Sequence, residues 1–567
     1  MINDLSSLMK KHIQILLFVF VLININIQLS GQQHAVIQVD LNKDLGLIKP
    51  IWAWFGYDEP NYTYMKDGRK LLKELQKVSP VPVFVRTHNL LTSGDGIPDL
   101  KWGSTNIYTE DSNGNVVYSW TIIDSIFDTY IKLGMKPLAQ IGFMPEALSI
   151  HPEPYRHHWK PGLSYSKIQT GWAYPPKDYK KWGDLIYTWV KHCVERYGKT
   201  EVENWYWEVW NEPDGAYWKG TLEEFFELYD YAADGLKRAL PTAKIGGADV
   251  TGGGTKFLNA FLTHCFNGIN YVTKEKGSPL DCILFHAKGF PDTLGGQVRM
   301  NISRQMRNIA DNFKLIATFP ETKNIPVIIG ESDPEGCAAC SMKTNPENAY
   351  RNGTLYSSYT AASYIREYAL AERYGINLIG AVNWSFEFEN QPWFAGFRDL
   401  STNGVDKPVL NVFRILGKIQ GQRVEVKSSQ EYSLDLVLDS SIRGNFTDIS
   451  AIASRSAHSA TIMLWNYHDL DVSEKKAFPV DVIIDHLPSN KITCSRFSID
   501  EAHSNSYALW KKMGSPAEPN ANQIIELEQA GMLQKDETPQ EREKSRGMVR
   551  YQLQIPRQGV ALLVLNW

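Results

Sequence analysis

Two glutamates carry the chemistry this sequence is equipped for. Glu212 lies in Trp-Tyr-Trp-Glu-Val-Trp-Asn-Glu-Pro-Asp (205–214), and Glu331 closes Ile-Pro-Val-Ile-Ile-Gly-Glu (325–331), 119 positions downstream. Each is a carboxylate at the end of an apolar, strand-like run. Opposed carboxylates are what cleavage of a glycosidic bond requires: one protonates the leaving oxygen, the other attacks or activates water. Taken singly, either glutamate reads as an ordinary strand-end charge. Two of them, one within Asn-Glu-Pro, read as a pair. Glu212 is the better candidate for the acid, because Asn211 beside it can donate to a sugar 2-hydroxyl, a bond that strengthens as the ring flattens. Glu331 is then the nucleophile. A close pair also raises the pKa of one partner, keeping it protonated for its first task.

Positioning falls to an alternation of short apolar runs and amphipathic helical stretches between residues 50 and 420. Candidate strands are 51–56, 83–87, 136–142, 205–210, 243–246, 280–286, 327–330 and 378–384, with helical periodicity at 66–77, 178–197, 222–240 and 359–374. Eight such units predict an α/β fold, a (β/α)8 TIM barrel over 50–420, with its site at the C-terminal strand ends. Glu212 then follows strand four and Glu331 strand seven. Other strand ends are also polar: Arg86 and His88 at strand two, His286 and Lys288 at strand six, Asn383 and Trp384 at strand eight. Arg86 reads as a structural partner that keeps Glu331 ionised. His88 and His286 are either satisfied core histidines or sugar-facing groups, and Trp384 is either packing or a stacking platform. A loop at 155–174 holds Tyr155, His157, His158, Trp159, Tyr165 and Trp172. It reads as a lid or subsite wall, with surface packing as its rival.

Beyond residue 420 the runs 431–438, 460–467, 480–484, 548–555 and 560–565 alternate as strands do, predicting a C-terminal β-sandwich over 421–567. Residues 35–40, within an N-terminal segment 32–49, read as another strand that completes it. The polar stretch 534–546 reads as a solvated loop or short exposed helix. The sandwich either packs on and stabilises the barrel or offers a subunit contact in a homo-oligomer.

A chain of 567 residues, 43% hydrophobic and 22% charged, is an ordinary globular composition. A net charge of −4 without a basic block argues against nucleic acid. The aromatic share, 12% with 17 Trp, leans towards carbohydrate without deciding it. Residues 1–31 have a basic start, a short apolar core and small closing residues, as a secretory signal peptide does, so the mature chain is expected to be exported and free of the membrane. Cys193 and Cys282 read as buried thiols. Cys337 and Cys340 read as a short disulfide or two packed thiols, since no second Cys pair accompanies them for a metal site.

At these residues the chain resembles glycoside hydrolase family 39. The resemblance spans nearly the whole mature chain and rests on Phe-Val-Arg-Thr-His-Asn-Leu-Leu (84–91), Gly-Phe-Met-Pro-Glu (142–146), Trp-Asn-Glu-Pro-Asp (210–214) and Phe-His-Ala-Lys-Gly (285–289). It continues in Glu-Ser-Asp-Pro-Glu-Gly (331–336), Phe-Ala-Gly-Phe-Arg (394–398) and Asp-Glu-Ala-His-Ser-Asn (500–505). It implies a retaining double displacement with Glu212 as acid/base, Glu331 as nucleophile, and no metal or cofactor. The chain is most similar to the bacterial β-xylosidase-like branch, which implies release of xylose from non-reducing ends of oligosaccharides. It departs from the xylosidase pattern after the nucleophile, where Ser332 and Asp333 stand in place of an aromatic residue and Asn. Lys288 and Arg398 occupy positions where iduronidases hold a substrate carboxylate. They either clamp a uronate or pair with acids such as Glu387, leaving a pentose pocket. An α-L-iduronidase-like, arabinoside- or galactoside-cleaving activity is the alternative, and a non-catalytic carbohydrate-binding barrel is a rival of another class.

Overall fold

The computed structural model describes residues 34–163, 170–489, 491–535, 540–543 and 547–567. The leader expected at 1–31 and Tyr165 of the aromatic loop lie outside the described residues. After an opening strand β1 (Ala35–Leu47), eight parallel strands follow in turn. They are β2 (Trp54–Tyr57), β3 (Phe84–Thr87), β4 (Lys136–Ile141), β5 (Tyr206–Val209), β6 (Lys244–Val250), β7 (Cys282–Lys288), β8 (Val327–Asp333) and β9 (Leu378–Ala381). They pair in sequence order, and a parallel bridge between Phe55 and Asn383 closes the ring. Between and after them run eight long helices: α1 (Lys66–Val78), α2 (Thr121–Lys132), α3 (Tyr179–Tyr197), α4 (Leu222–Ala239), α5 (Thr255–Asn267), α6 (Ile302–Ile316), α7 (Thr354–Tyr374) and α8 (Pro408–Leu416). The molecule is a TIM barrel with an appended sandwich.

Local chemistry sets these boundaries. α3 starts where Asp178 accepts from the Lys181 N–H, and α4 starts at a Thr221–Glu224 capping box. The barrel strands are buried on both faces, which is why they read as continuous apolar runs rather than alternating ones. β8 runs three residues beyond the apolar segment 327–330, so Glu331 sits within the strand, in register with His286 of β7. A register shift falls between Ile329 and Glu331, and another at Ala248/Val250 beside Asp249. Such irregularities re-aim side chains at a barrel rim. A Cβ on Gly330 would lie 2.1 Å from Asp249 Oδ1. Gly330→Ala is therefore expected to cost about 1–3 kcal/mol by overpacking and to push Asp249 off its partners. A denaturation midpoint equal to wild type would show that Asp249 yields without cost.

In the sandwich, one continuous sheet bends on itself. Its strands are β10 (Gln422–Ser428), β11 (Asp448–Arg455), β12 (Ser459–Tyr467), β13 (Ala477–Asp485), β14 (Lys491–Ile499), β15 (Met548–Pro556) and β16 (Val560–Asn566). β1 joins it between β10, antiparallel, and β13, parallel. Ile37, Ile462, Val482, Tyr551 and Leu563, from strands along its whole width, share one buried core. The other face of β11, β12 and β16, through Ile452, Met463, Trp465 and Leu562, belongs to the barrel's own core, so the two units are packed dry against each other. Cys337 and Cys340 form a disulfide, while Cys193 and Cys282 are buried thiols.

Two expectations are corrected. The run 431–438 is not a strand: Leu434–Ser440 is a helix capped by Ser433. Leu434, Val437 and Leu438 carry the helical i, i+3, i+4 spacing, which the cap turns into a helix start. Within the stretch 534–546, expected as a loop or short helix, Gln534–Lys535 and Gln540–Glu543 are instead strands that pair with β14 at the sheet edge. Backbone pairing there needs no apolar side chains, and charged edge strands are usual.

Candidate active site

The C-terminal ends of the barrel strands converge on Arg86, the fully buried end of β3. Its Nε donates to Glu208 Oε1 at 2.6 Å, Nη1 to Glu331 Oε1 at 3.1 Å, and Nη2 to Asn211 Oδ1 at 2.9 Å and to Asp249 Oδ2. Burial works against its charge, but Asp249, Glu208 and Glu331 outweigh it and raise its pKa. By accepting from Arg86, the Asn211 oxygen leaves the amide NH2 in the donor role.

Glu331 is ringed by cations. Oε2 accepts from Lys288 Nζ at 2.6 Å, and Oε1 stands 3.7 Å from His88 Nε2 and 3.8 Å from His286 Nε2. Burial alone would raise its pKa. The charges of His286, Lys288 and Arg86 together hold it well below the usual carboxylate range. It is an ionised nucleophile waiting for an electrophile.

Glu212 follows β5 on a backbone with φ of 44°, next to Trp210 at 72°. These are left-handed conformations that non-glycine residues occupy at a cost, and they cluster at functional sites. Its N–H donates to Asp249 O at 3.0 Å. Its carboxyl is more open, 23% exposed against 9% for Glu331. His286 spans the pair: Nδ1 lies 2.9 Å from Glu212 Oε1, and Nε2 lies 3.0 Å from Asp249 Oδ2. Burial would lower the imidazole's pKa, but Asp249 and Glu331 override it, and the group is pushed up to about 10. At neutral pH it is an imidazolium that donates on both sides.

His88 is different. Its Nδ1 meets Asp58 Oδ1 at 2.7 Å, and burial with the Arg86 charge keeps it neutral. The buried Nε2 has no hydrogen-bond partner among the described residues. With Nδ1–H donating to the Asp58 carboxylate, Nε2 is an acceptor beside the nucleophile.

The remaining candidates divide. Trp384 is 2% exposed, wedged between Gly56, the His88 ring at 4.3 Å and the Arg86 guanidinium at 4.7 Å, so packing accounts for it. Lys288 also holds Asp333 Oδ2. Arg398 is buried, with Nε on Trp384 O at 2.9 Å, Nη1 on Glu335 Oε1 at 2.8 Å and Nη2 3.4 Å from Asp333 Oδ2. Arg351 reaches the same Glu335 at 2.5 Å and the carbonyls of the disulfide-bonded Cys337 and Cys340. Glu387 is a correction. It accepts from Ser401 Oγ and from the Asn403 N–H at 2.9 Å, and pairs with neither Lys288 nor Arg398. Burial, and Asp399 nearby, push its carboxyl up, against the Ser401 hydroxyl and Asn403 N–H, which favour its charged form.

Four acids escaped the sequence reading: Asp58, Glu208, Asp249 and Asp333. Their signal was present, for each ends or interrupts an apolar barrel strand, where a buried carboxylate requires a cation. The aromatic loop packs on the barrel rim through Tyr155, which bonds Met144 O and the Ser93 N–H, each at 2.8 Å, and Trp172, whose ring lies tilted 4.2 Å from that of Phe143. Among the described residues, no group of three or more His, Cys, Asp or Glu has the arrangement of a metal site.

An ionised carboxylate and a more open one, both within 4 Å of a single imidazolium, supply the two acids that glycosidic bond cleavage requires. A family model of glycosyl hydrolases family 39 matches residues 35–547. The chain belongs to this family. It is a glycoside hydrolase. It is similar to the β-xylosidase of Caldicellulosiruptor saccharolyticus, at 27% identity over 516 residues, covering 88% of this chain and 92% of the relative. It is also similar to the α-L-iduronidase of Mus musculus, at 25% identity over 378 residues, covering 61% of this chain and 55% of the relative. Among solved structures, a monomeric β-xylosidase from Caulobacter crescentus CB15 shares the fold, with a TM-score of 0.72 at 20% identity, covering 94% of this chain and 99% of that one.

In this family 39 glycosidase, the lowered pKa of Glu331 has a sign that can be checked. The carboxylate is charged at and above the ordinary value of 4.5, and the stability it contributes there is lost as pH falls through its lowered pKa. Lys288→Met removes one of the charges responsible. The acid limb of kcat/KM is expected to move up by about 1 unit or more, read from initial rates between pH 3 and 7. An unmoved limb would show that Lys288 does not keep Glu331 ionised.

Proposed function

We propose that this glycosidase is a retaining, exo-acting β-xylosidase that releases xylose from the non-reducing ends of xylo-oligosaccharides. Glu331 attacks the anomeric carbon while Glu212 protonates the departing oxygen. Glu212 then takes a proton from the water that hydrolyses the glycosyl-enzyme. The His286 imidazolium, bonded to Glu212, stabilises its carboxylate form between the two steps. Support for retention is that one imidazole ring lies close to both carboxyls, 2.9 Å from Glu212 Oε1 and 3.8 Å from Glu331 Oε1. The aromatic loop is tied to the barrel rim at Ser93 and Lys101.

Substrate class rests on one observation. Lys288 and Arg398, the cations a uronate would need, are each already held by two acidic side chains: Glu331 and Asp333, and Asp333 and Glu335. A substrate carboxylate would have to displace buried partners, whereas a pentose asks for no cation. The similarity to a β-xylosidase along most of both chains points the same way. The leader at 1–31 supports export of the mature chain.

The test is a panel of aryl glycosides: β-D-xylopyranoside, α-L-iduronide, α-L-arabinopyranoside and β-D-galactopyranoside, with Glu331→Gln as blank. The xyloside is expected to lead by at least about tenfold in kcat/KM, a pocket-level discrimination, with the β-anomer as first product by NMR. A leading iduronide would overturn the substrate class and make Lys288 a carboxylate ligand. A first-formed α-anomer would overturn the double displacement.

A further inference from the structure

Two clefts run together where the sandwich overhangs the barrel. One, of 580 Å³, lies between the C-terminal ends of α1 and α8 and the sandwich. The other, of 450 Å³, lies over the barrel-facing side of β11, β12, β14 and β16. Lys418, Gln420 and Phe497 line both. Because Val78 and Ser79 lead into the start of β3, the clefts open on the face of the barrel opposite its catalytic mouth.

Strand register explains the chemistry of the lining. Ser454 opposes Thr461, Thr461 opposes Val564, and Val564 opposes Ser495, a rung across four strands. One rung along, Ile452, Met463 and Leu562 are buried against the barrel, while Phe497, in register with Leu562, is only partly covered. Ser454 and Thr461 are buried and bonded to each other at 2.7 Å, so the cleft offers the hydroxyls of Ser456, Ser459 and Ser495 beside an open aromatic ring. The Lys418 ammonium stands 5.4 Å from the centroid of that ring. Charge is one-sided: Lys77, Lys418 and Lys535 line the clefts, whereas Glu74, the one acid among the described lining residues, is bonded to Arg414 at 2.6 Å. A dry protein contact has no use for such a surface. A sugar acid does: its C–H face lies on the ring, its hydroxyls on Ser456, Ser459 and Ser495, its carboxylate at the ammonium.

We propose that this cleft is a second, non-catalytic site that binds an acidic glycan segment. It tethers a polymer on the far side of the barrel, independently of what the catalytic pocket cleaves.

The experiment is calorimetric titration of the full chain carrying Glu331→Gln with tetragalacturonate, a sulfated κ-carrageenan tetrasaccharide and neutral xylotetraose. Tetragalacturonate is expected to bind with an affinity that falls with salt, drops at least about tenfold in Phe497→Ala and drops comparably in Lys418→Ser. Aryl-glycoside kinetics of the same substitutions, in a chain that retains Glu331, stay unchanged. The sulfated tetrasaccharide, if bound with the same dependence on Phe497 and Lys418, supports the site and shows that it reads anionic sugars at large. Equal binding of xylotetraose, no binding of either acidic tetrasaccharide, or binding indifferent to both substitutions overturns the proposal. Should Phe497→Ala lower the melting temperature, the exposed Lys418 variant decides.

Discussion

Glu331→Gln is expected to leave no measurable turnover of any aryl xyloside, a loss on the order of 10⁵-fold or more in kcat/KM, whereas Glu212→Ala separates its substrates. The amide keeps the volume of Glu331, and its one oxygen can still accept from Lys288 or Arg86, so folding survives while the nucleophile is gone. Loss of Glu212 removes a proton donor. A 2,4-dinitrophenolate leaves without one, so kcat/KM on that xyloside should barely change, while xylobiose loses about 10²–10⁴-fold, the usual worth of general acid catalysis. In the second step the same variant lacks its base, so kcat falls even for the activated substrate. Azide should restore it by attacking the glycosyl-enzyme, giving the β-xylosyl azide. The structure makes this asymmetry reasonable: Glu331 is sunk among three cationic groups, Arg86, Lys288 and His286, while Glu212 is more open and touches His286. Equal losses on both substrates, with no azide product, would assign Glu212 to structure and retire the double displacement.

What could be read beforehand follows from how far each signal travels along the chain. The barrel was legible because its strands are buried on both faces and its helices carry regular apolar stripes, both of which are local patterns. Glu212 and Glu331 were legible because a carboxylate ending an apolar run contradicts its surroundings. The sandwich was only half legible. Asp448–Arg455 and Lys491–Ile499 each mix buried apolar residues with serines or charges that face the barrel or the cleft, so their alternation is blurred. Leu434–Ser440 shows period-two and helical spacing at once, and only the Ser433 cap tips it. Within the site, the destinations of Lys288, Arg398 and Glu387 could not be read. Each has several opposite charges or hydrogen-bonding groups within a few residues of a strand end, and register alone decides which it meets. Asp333 and Glu335 took both cations, and Glu387 turned to Ser401.

Removing Arg86 should be the most damaging single change to the fold of the site. Its guanidinium is completely buried and donates to Glu208, Asp249, Glu331 and Asn211. Arg86→Met leaves those carboxylates in the barrel with their desolvation uncompensated, which costs about 3–5 kcal/mol when one partner of a buried ionic cluster is deleted. The pH dependence discriminates this cause from lost packing. In the native protein the pKa values of Asp249 and Glu331 lie below their ordinary 3.8 and 4.5, so their stabilisation is present above those values and lost as pH falls through the lowered ones. Without Arg86, burial raises them instead, and stability is then lost as pH rises above the ordinary range. The gap between native and variant in urea denaturation should therefore be widest near pH 7 and close towards pH 4. Activity should fall further than stability, because a Glu331 that has taken up a proton cannot attack. Arg86→Lys retains a charge without the fork that reaches four acceptors, and should fall between the two. A gap constant from pH 4 to pH 8 would mean that Arg86 fills space under Trp384 and that its charge is incidental.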